Sequence, residues 1–336
     1  MKKRVSLVLA AVLALSAFVS VAQASAATEF GSGCTATEGE SGPTSFISVS
    51  HGPGSPLPVA APVSGVITEW KTSIAVGEAP PEVAEFLGPL YRQKLLVVQP
   101  IGSGAYTMVG ESIGGTMNLN GTSSFPARIP VQAGDLLGLG GTGITLLCEN
   151  TGSTADQSAI GLGAPPVGSK LLTLENVSEL QVPVIAKIEP DVDGDGYGDE
   201  TQDKCPQSAA YQTACPVVTI SSKPFVAGKK AVTLYVSTSL SAPVGVTGTV
   251  NLGKGKKATL TAAAQTVAPG SLTPFKLTLS KQVTKALAET STKKSLTLSI
   301  TASATNVTGA PSTSTSSVKL KGQAKPAAKK HKKSNK

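Results

Sequence analysis

The chain has 336 residues, of which 40% are hydrophobic and only 4% aromatic, and it carries a formal net charge of +8. That length exceeds one ordinary core, so two globular domains are expected, and 35 Gly and 23 Pro with few aromatics suit short strands and tight turns rather than a helical bundle. The net charge hides a division: residues 27–204 hold 20 Asp and Glu against 7 Lys and Arg, whereas residues 205–336 hold 19 Lys against Glu289 alone. No arginine follows Arg128, and bidentate recognition of bases or phosphates prefers arginine, so specific nucleic-acid binding is not expected. Attraction of the basic half to an anionic cell-envelope polymer fits the charge, as do lysines that guard sheet edges.

Residues 1–26 read as a secretory signal. Lys2, Lys3 and Arg4 precede an apolar run from Val5 to Val21, and Ala22-Gln23-Ala24-Ser25-Ala26 closes it; cleavage after Ala24 or after Ala26 fits the small-x-small rule. No later stretch is long and apolar enough to span a bilayer, so a secreted or cell-surface protein is expected. Four cysteines in an exported chain should pair. Of three connectivities, spacing favours Cys205–Cys215, which leaves Cys34–Cys148 by elimination.

Residues 27–188 read as an acidic, jelly-roll-like β-sandwich. After a loose start over 27–62 with one strand at Thr44–His51, strands are predicted at Val66–Lys71, Lys94–Pro100, Tyr106–Glu111, Ser124–Val131, Leu136–Leu139, Ile144–Cys148, Leu171–Leu174 and Val182–Ile188. Pro126 and Pro130 favour an edge position for their strand. Segment Pro80–Gln93 reads as a helix or a binding loop.

Residues 189–215 read as a calcium-binding, disulfide-clipped linker. From Asp191 the chain runs Asp-Val-Asp-Gly-Asp-Gly-Tyr-Gly-Asp-Glu-Thr-Gln-Asp-Lys-Cys-Pro. Five aspartates so close together repel one another unless a cation lies among them, and calcium takes hard oxygen ligands. With Asp191 as position 1, Asp193 and Asp195 fall at 3 and 5, Gly196 at the sharp turn, the Tyr197 carbonyl at 7 and Asp199 at 9. Position 12 is Gln202, and a carboxylate arrives one residue later as Asp203, which leaves the last ligand and the role of Glu200 open. The flanks are not amphipathic helices, which argues against a helix–loop–helix calcium hand. The Asp-x-Asp-Gly-Asp-Gly run with its trailing Asp-Lys-Cys-Pro resembles a thrombospondin type 3 repeat. That resemblance implies calcium ligands and a nearby disulfide in place of an apolar core, with Asp191, Asp193, Asp195, Asp199 and Asp203 as side-chain ligands.

Residues 216–322 read as a basic, immunoglobulin-like sandwich with strands at Val217–Ser221, Ala231–Thr238, Gly245–Asn251, Ala258–Thr261, Pro274–Leu279, Ser295–Ala302 and Thr315–Leu320. Ser280–Glu289, with a Ser cap and apolar Val283 and Leu287 four apart, predicts a short helix. The stretches Phe275-Lys-Leu-Thr-Leu-Ser and Ser295-Leu-Thr-Leu-Ser-Ile-Thr-Ala resemble bacterial immunoglobulin-like modules, which implies a spacer or binding role. Residues 323–336 are lysine-rich and cannot bury a core.

A catalytic set is not legible. His51 and His331 are the only histidines, no nucleophile-elbow sequence is present, and paired cysteines leave zinc without ligands. Glu69, Glu82, Glu85, Glu111 and Asp135 keep a carbohydrate-active hydrolase in the first sandwich as the alternative. The expectation is therefore an all-β, non-enzymatic protein: two antiparallel sandwiches joined by a calcium loop, binding an extracellular ligand or an anionic envelope polymer.

Overall fold

The computed structural model describes residues 26–41, 44–52, 55–75, 92–141, 143–227, 230–253, 255–307 and 312–322. The chain is nearly all β, with one helix, Lys281–Glu289, among the described residues. Pairings between strands are antiparallel except for the short parallel contact of Thr35–Ala36 with Ser73 and Ile74. Most of segment Pro80–Gln93, and the tail from residue 323, lie outside the described residues; Arg92 and Gln93 open strand Arg92–Pro100.

In the acidic half, a five-stranded and an eight-stranded sheet enclose a core built around Trp70, Phe30, Phe46 and Leu137. Strand Gly65–Ala75 is the spine of the smaller sheet, flanked by Ile185–Glu189 and Asn120–Val131. Pro126 and Pro130 lie in Asn120–Val131, which pairs on one side only, the place where a missing N–H costs least. In the larger sheet, Leu95 and Val97 face this core while Leu96 and Val98 face a second apolar cluster with Ile47 and Met108. Burial on both faces explains why the run Leu95-Leu96-Val97-Val98 does not alternate with polar residues.

The start of this half is more ordered than its composition implies. Thr28–Gly31 is a strand paired with Ile185–Glu189, and its Phe30 is fully buried. A small sheet sets Ile144–Glu149 between Glu38–Ser41 and Leu180–Gln181, and Cys34 is bonded to Cys148 there. The sequence also hides a strand at Gln157–Leu162, which inserts between Thr44–Ser50 and Thr173–Ser178.

In the basic half, two four-stranded sheets share one core in which Val232, Leu234, Phe275 and Leu277 meet Val246 and Ile300. The helix starts at Ser280, whose Oγ accepts from the Val283 N–H, and it buries Val283 and Leu287 against that core. Strands Lys256–Val267 and Thr313–Lys321 are the two edges of one sheet, and each carries an exposed lysine pair, Lys256 with Lys257 and Lys319 with Lys321. Such charges oppose edge-to-edge pairing with another chain. The Cys205–Cys215 bridge expected to clip the linker is formed, and it packs on this core: Cys205 is fully buried, and Tyr211 and Cys215 lie beside it.

Candidate metal centre

The acidic loop follows strand Ile185–Glu189 directly, so the five-stranded sheet sets its starting point. Gly194 and Gly196 have φ of 73° and 83°, left-handed values that disfavour a side chain and that curl the loop back on itself. The curl turns backbone N–H groups onto the carboxylates. Asp191 accepts from Asp195 N and Gly196 N, both at 3.0 Å, and Asp195 Oδ1 accepts from Tyr197 N at 2.9 Å. Asp191, Asp193 and Asp195 each present an oxygen within 4.8 Å of the others, the one such acidic trio among the described residues.

Asp199 and Asp203 belong to the same electrostatic group. Burial first, and then the charges of Asp191, Asp193 and Asp203, push the Asp199 carboxyl up to about 6. Burial also raises Asp203, aided by the charges of Asp193, Asp195 and Asp191. Asp193 is raised by burial and by Asp195. Two oxygens are left over: Asp193 Oδ2 and Asp203 Oδ2 are shielded from solvent and lack a hydrogen-bond partner. A buried carboxylate oxygen without a donor costs several kcal/mol unless the group protonates or a cation reaches it.

The extra residue before Asp203 is absorbed by a wide turn. Gln202 N and Asp203 N both donate to Gly198 O at 2.9 Å, which carries Asp203 round into the cluster; Asp203 is 3% exposed. Gln202 is spent elsewhere: its Nε2 donates to Ala127 O at 2.7 Å and its Oε1 accepts from Gly198 N. Glu200 also points away, accepting from Ala27 N at 2.7 Å. The position-12 side chain is thus a docking group, while Asp203 is turned toward the other aspartates. The Tyr197 ring lies under the Arg128 guanidinium, 4.4 Å from its centroid.

The feature that sequence reasoning missed is the dock beneath the loop. Glu189 is fully buried and accepts from Thr201 N at 2.8 Å, Glu200 N at 3.1 Å, the Thr201 and Thr68 hydroxyls, and Lys187 Nζ at 3.1 Å. Burial alone would raise its carboxyl, but the Thr201, Lys187 and Thr68 donors together hold it below the ordinary range. Gly198 is required by the same dock, because a Cβ there would lie 2.6 Å from Glu189 Oε2 and 2.5 Å from Thr68 Cγ2. A single glutamate before an acidic run carries no signal of its own in sequence.

From the loop the chain passes into the basic half through short bonds. Asp203 Oδ1 accepts from Cys205 N at 2.7 Å, Gln212 Nε2 donates to Asp195 Oδ2 at 2.8 Å, and Lys204 N donates to Gln212 O at 2.9 Å. Tyr211 then donates its hydroxyl to Ser241 O at 2.7 Å.

The carboxylates weighed for hydrolysis are dispersed. Glu69 is held by Ser124 and lies near Lys71 in the smaller sheet, Glu111 pairs with Lys94 in the larger, and Asp135 is buried and accepts from Gln132 N; Glu82 and Glu85 lie outside the described residues. Ser48 Oγ is 2.9 Å from His51 Nε2, but Ser48 is fully buried and so not presented to a substrate. Trp70 is likewise core, stacked on Phe125 at 4.7 Å and closed to solvent.

No protein-family model matches the chain, and no curated protein matches it. Among solved structures it is similar to a calcium binding mutant of β-glucuronidase 2 from Bacteroides uniformis, at 12% identity over 84% of this chain and 32% of that one, with a TM-score of 0.21. It is also similar to a β-galacturonidase from Eisenbergiella tayi, at 12% identity over 84% of this chain and 43% of that one, with a TM-score of 0.18. This chain spans less than half of either. Likenesses of this size carry no argument about activity.

Proposed function

We propose that the protein is a secreted or cell-surface, non-catalytic calcium-binding protein. In this reading Asp191, Asp193, Asp195, Asp199, Asp203 and the Tyr197 carbonyl hold one calcium ion in a loop of the thrombospondin type 3 kind. The ion stiffens the joint between a jelly-roll-like recognition sandwich and an immunoglobulin-like basic one. The observation that carries the reading is the pair of shielded, unpartnered oxygens on Asp193 and Asp203, beside a three-aspartate group to which Asp199 and Asp203 are electrostatically coupled. The donor set is all oxygen, which suits a hard cation; a thiolate-seeking metal would find all four cysteines in disulfides. When bound, the cation supplies the positive charge that cancels the aspartates' repulsion; the chain's own part is to curl, to dock on Glu189 and to pass the constraint to Cys205.

The basic half supports attachment to an anionic envelope polymer. Every described lysine after Lys204 is exposed, and none has an acidic partner within 4 Å. Thermal unfolding tests the calcium reading. Extracellular sites of this class bind at about 0.1–1 mM, so 10 mM calcium should add roughly 1.4–2.7 kcal/mol and raise the Tm of the unfolding unit by several degrees over chelator. Superimposable melting curves would remove the reading.

A further inference from the structure

The backbone N–H of Ala27, just ahead of the first strand, touches the acidic loop. Ala27 N donates to Glu200 Oε1 at 2.7 Å, Ala26 is exposed, and strand pairing starts one residue later with Thr28 opposite Ile188. Glu200 Oε2 lies 4.0 Å from Lys187 Nζ, which is 3.1 Å from the buried Glu189 carboxylate. Glu189 in turn holds the backbone N–H groups of Glu200 and Thr201. Independently, Ala24-Ser25-Ala26 presents small residues at the first and third positions before the Ala26–Ala27 bond, as a signal-peptide cleavage site does. The alternative cut after Ala24 leaves Ser25-Ala26 in front, so that an uncharged amide would face Glu200.

We propose that processing occurs at the Ala26–Ala27 bond and that the α-ammonium it creates pairs with Glu200, completing the ionic network that holds the acidic loop on the first sandwich. The step is a peptide hydrolysis by a peptidase selective for small residues before the bond. Water is consumed, the C–N bond breaks, oxygen adds to the Ala26 carbonyl carbon to give a carboxylate, and the Ala27 nitrogen leaves as an amine that takes up a proton. An amide donor on Glu200 thereby becomes a cationic one. Hydrogen bonds to a charged donor are shorter and roughly twice as strong as neutral ones. Removal of the leader is then a structural event: it finishes the seat of the loop as well as releasing the chain. This inference rests on the reading of residues 1–26 as a signal and does not require calcium in the loop.

Two measurements test it. Intact-mass and N-terminal sequencing of the full chain exported from a bacterial host should give a first residue of Ala27; a start at Ser25, or a retained leader, would overturn the processing site. For the pairing, chains starting at Ala27 and at Ser25 are compared with and without Glu200→Gln, all in chelator so that the calcium reading plays no part. Starting at Ser25 should lower the Tm by about 1–3 °C with Glu200 present and leave it unchanged in the Glu200→Gln background. Equal shifts in the two backgrounds, or none in either, would overturn the pairing while leaving the metal reading untouched.

Discussion

Glu189 and Gly198 decide whether the acidic loop has a seat. Replacing Glu189 with Gln keeps the shape but weakens bonds from two backbone N–H groups, two hydroxyls and Lys187; the expected cost is about 1–3 kcal/mol, read as a lower denaturation midpoint. Gly198→Ala drives a methyl group into that same carboxylate and should cost a similar 1–3 kcal/mol. Protonation acts on the loop in two opposed directions. In the metal-free protein Asp199 is raised from 3.8 to about 6, so the folded form holds a proton that the unfolded chain has released, and this group's contribution to stability falls as pH rises through that window. Glu189 is lowered, so its contribution is complete above the unfolded value and is lost as pH falls through the folded one. On the proposed calcium reading, the ion has to displace the Asp199 proton below about 6, so the Tm gain it gives should shrink between pH 7 and pH 5. Equal gains at both would contradict the raised Asp199.

At the level of elements, the two disulfides do different work. Cys34–Cys148 spans 114 residues and Cys205–Cys215 only 10, so chain entropy gives the long bridge roughly 5 kcal/mol and the short one about 3. The short bridge nonetheless bears on the loop, because Cys205 N donates to Asp203 Oδ1. Cys205→Ala with Cys215→Ala should therefore weaken calcium binding severalfold, whereas losing the long bridge should lower stability and leave the affinity within about twofold. Equilibrium dialysis beside thermal melts separates the two effects. Strands were legible where alternation or turn residues marked them: Tyr106–Glu111 and Ala231–Thr238 stand where the pattern put them, and Ser280 caps its helix. Gln157–Leu162 was not legible because Ser158, Ala159 and Gly161 interrupt its apolar residues and make it read as a loop. Gly161 has no room for more, since a Cβ there would meet Ser45 Oγ at 2.5 Å and Leu171 Cδ1 at 3.0 Å. Thr28–Gly31 was missed for a different reason: its order comes from a partner about 160 residues away, Ile185–Glu189, which no local window contains. Within the loop, the aspartates and glycines were plain in sequence, but the docking of Gln202 on Ala127 and the turn of Asp203 round Gly198 depend on tertiary contacts that no local window contains.

On the scale of the whole molecule, an acidic body and a basic body meet at one short, charged splice. The acidic loop is tied to the first through Glu189, Gln202 and Arg128 and to the second through Cys205, Gln212 and Tyr211. Without a cation the aspartates repel across this splice, so chelator should broaden the small-angle scattering profile and increase the maximum dimension, while calcium restores a single compact pose. Adsorption of the basic half to an anionic polymer matrix should weaken steeply between low salt and about 0.5 M, because exposed lysines are screened. The central claim is that the five aspartates grip one calcium ion, and calorimetric titration of the exported chain with calcium, with magnesium as control, tests it most directly. The account predicts a single site near 0.1–1 mM that prefers calcium, with binding at least tenfold weaker in Asp193→Asn and in Asp203→Asn. No heat beyond dilution, or equal binding by the wild type and both variants, would contradict it.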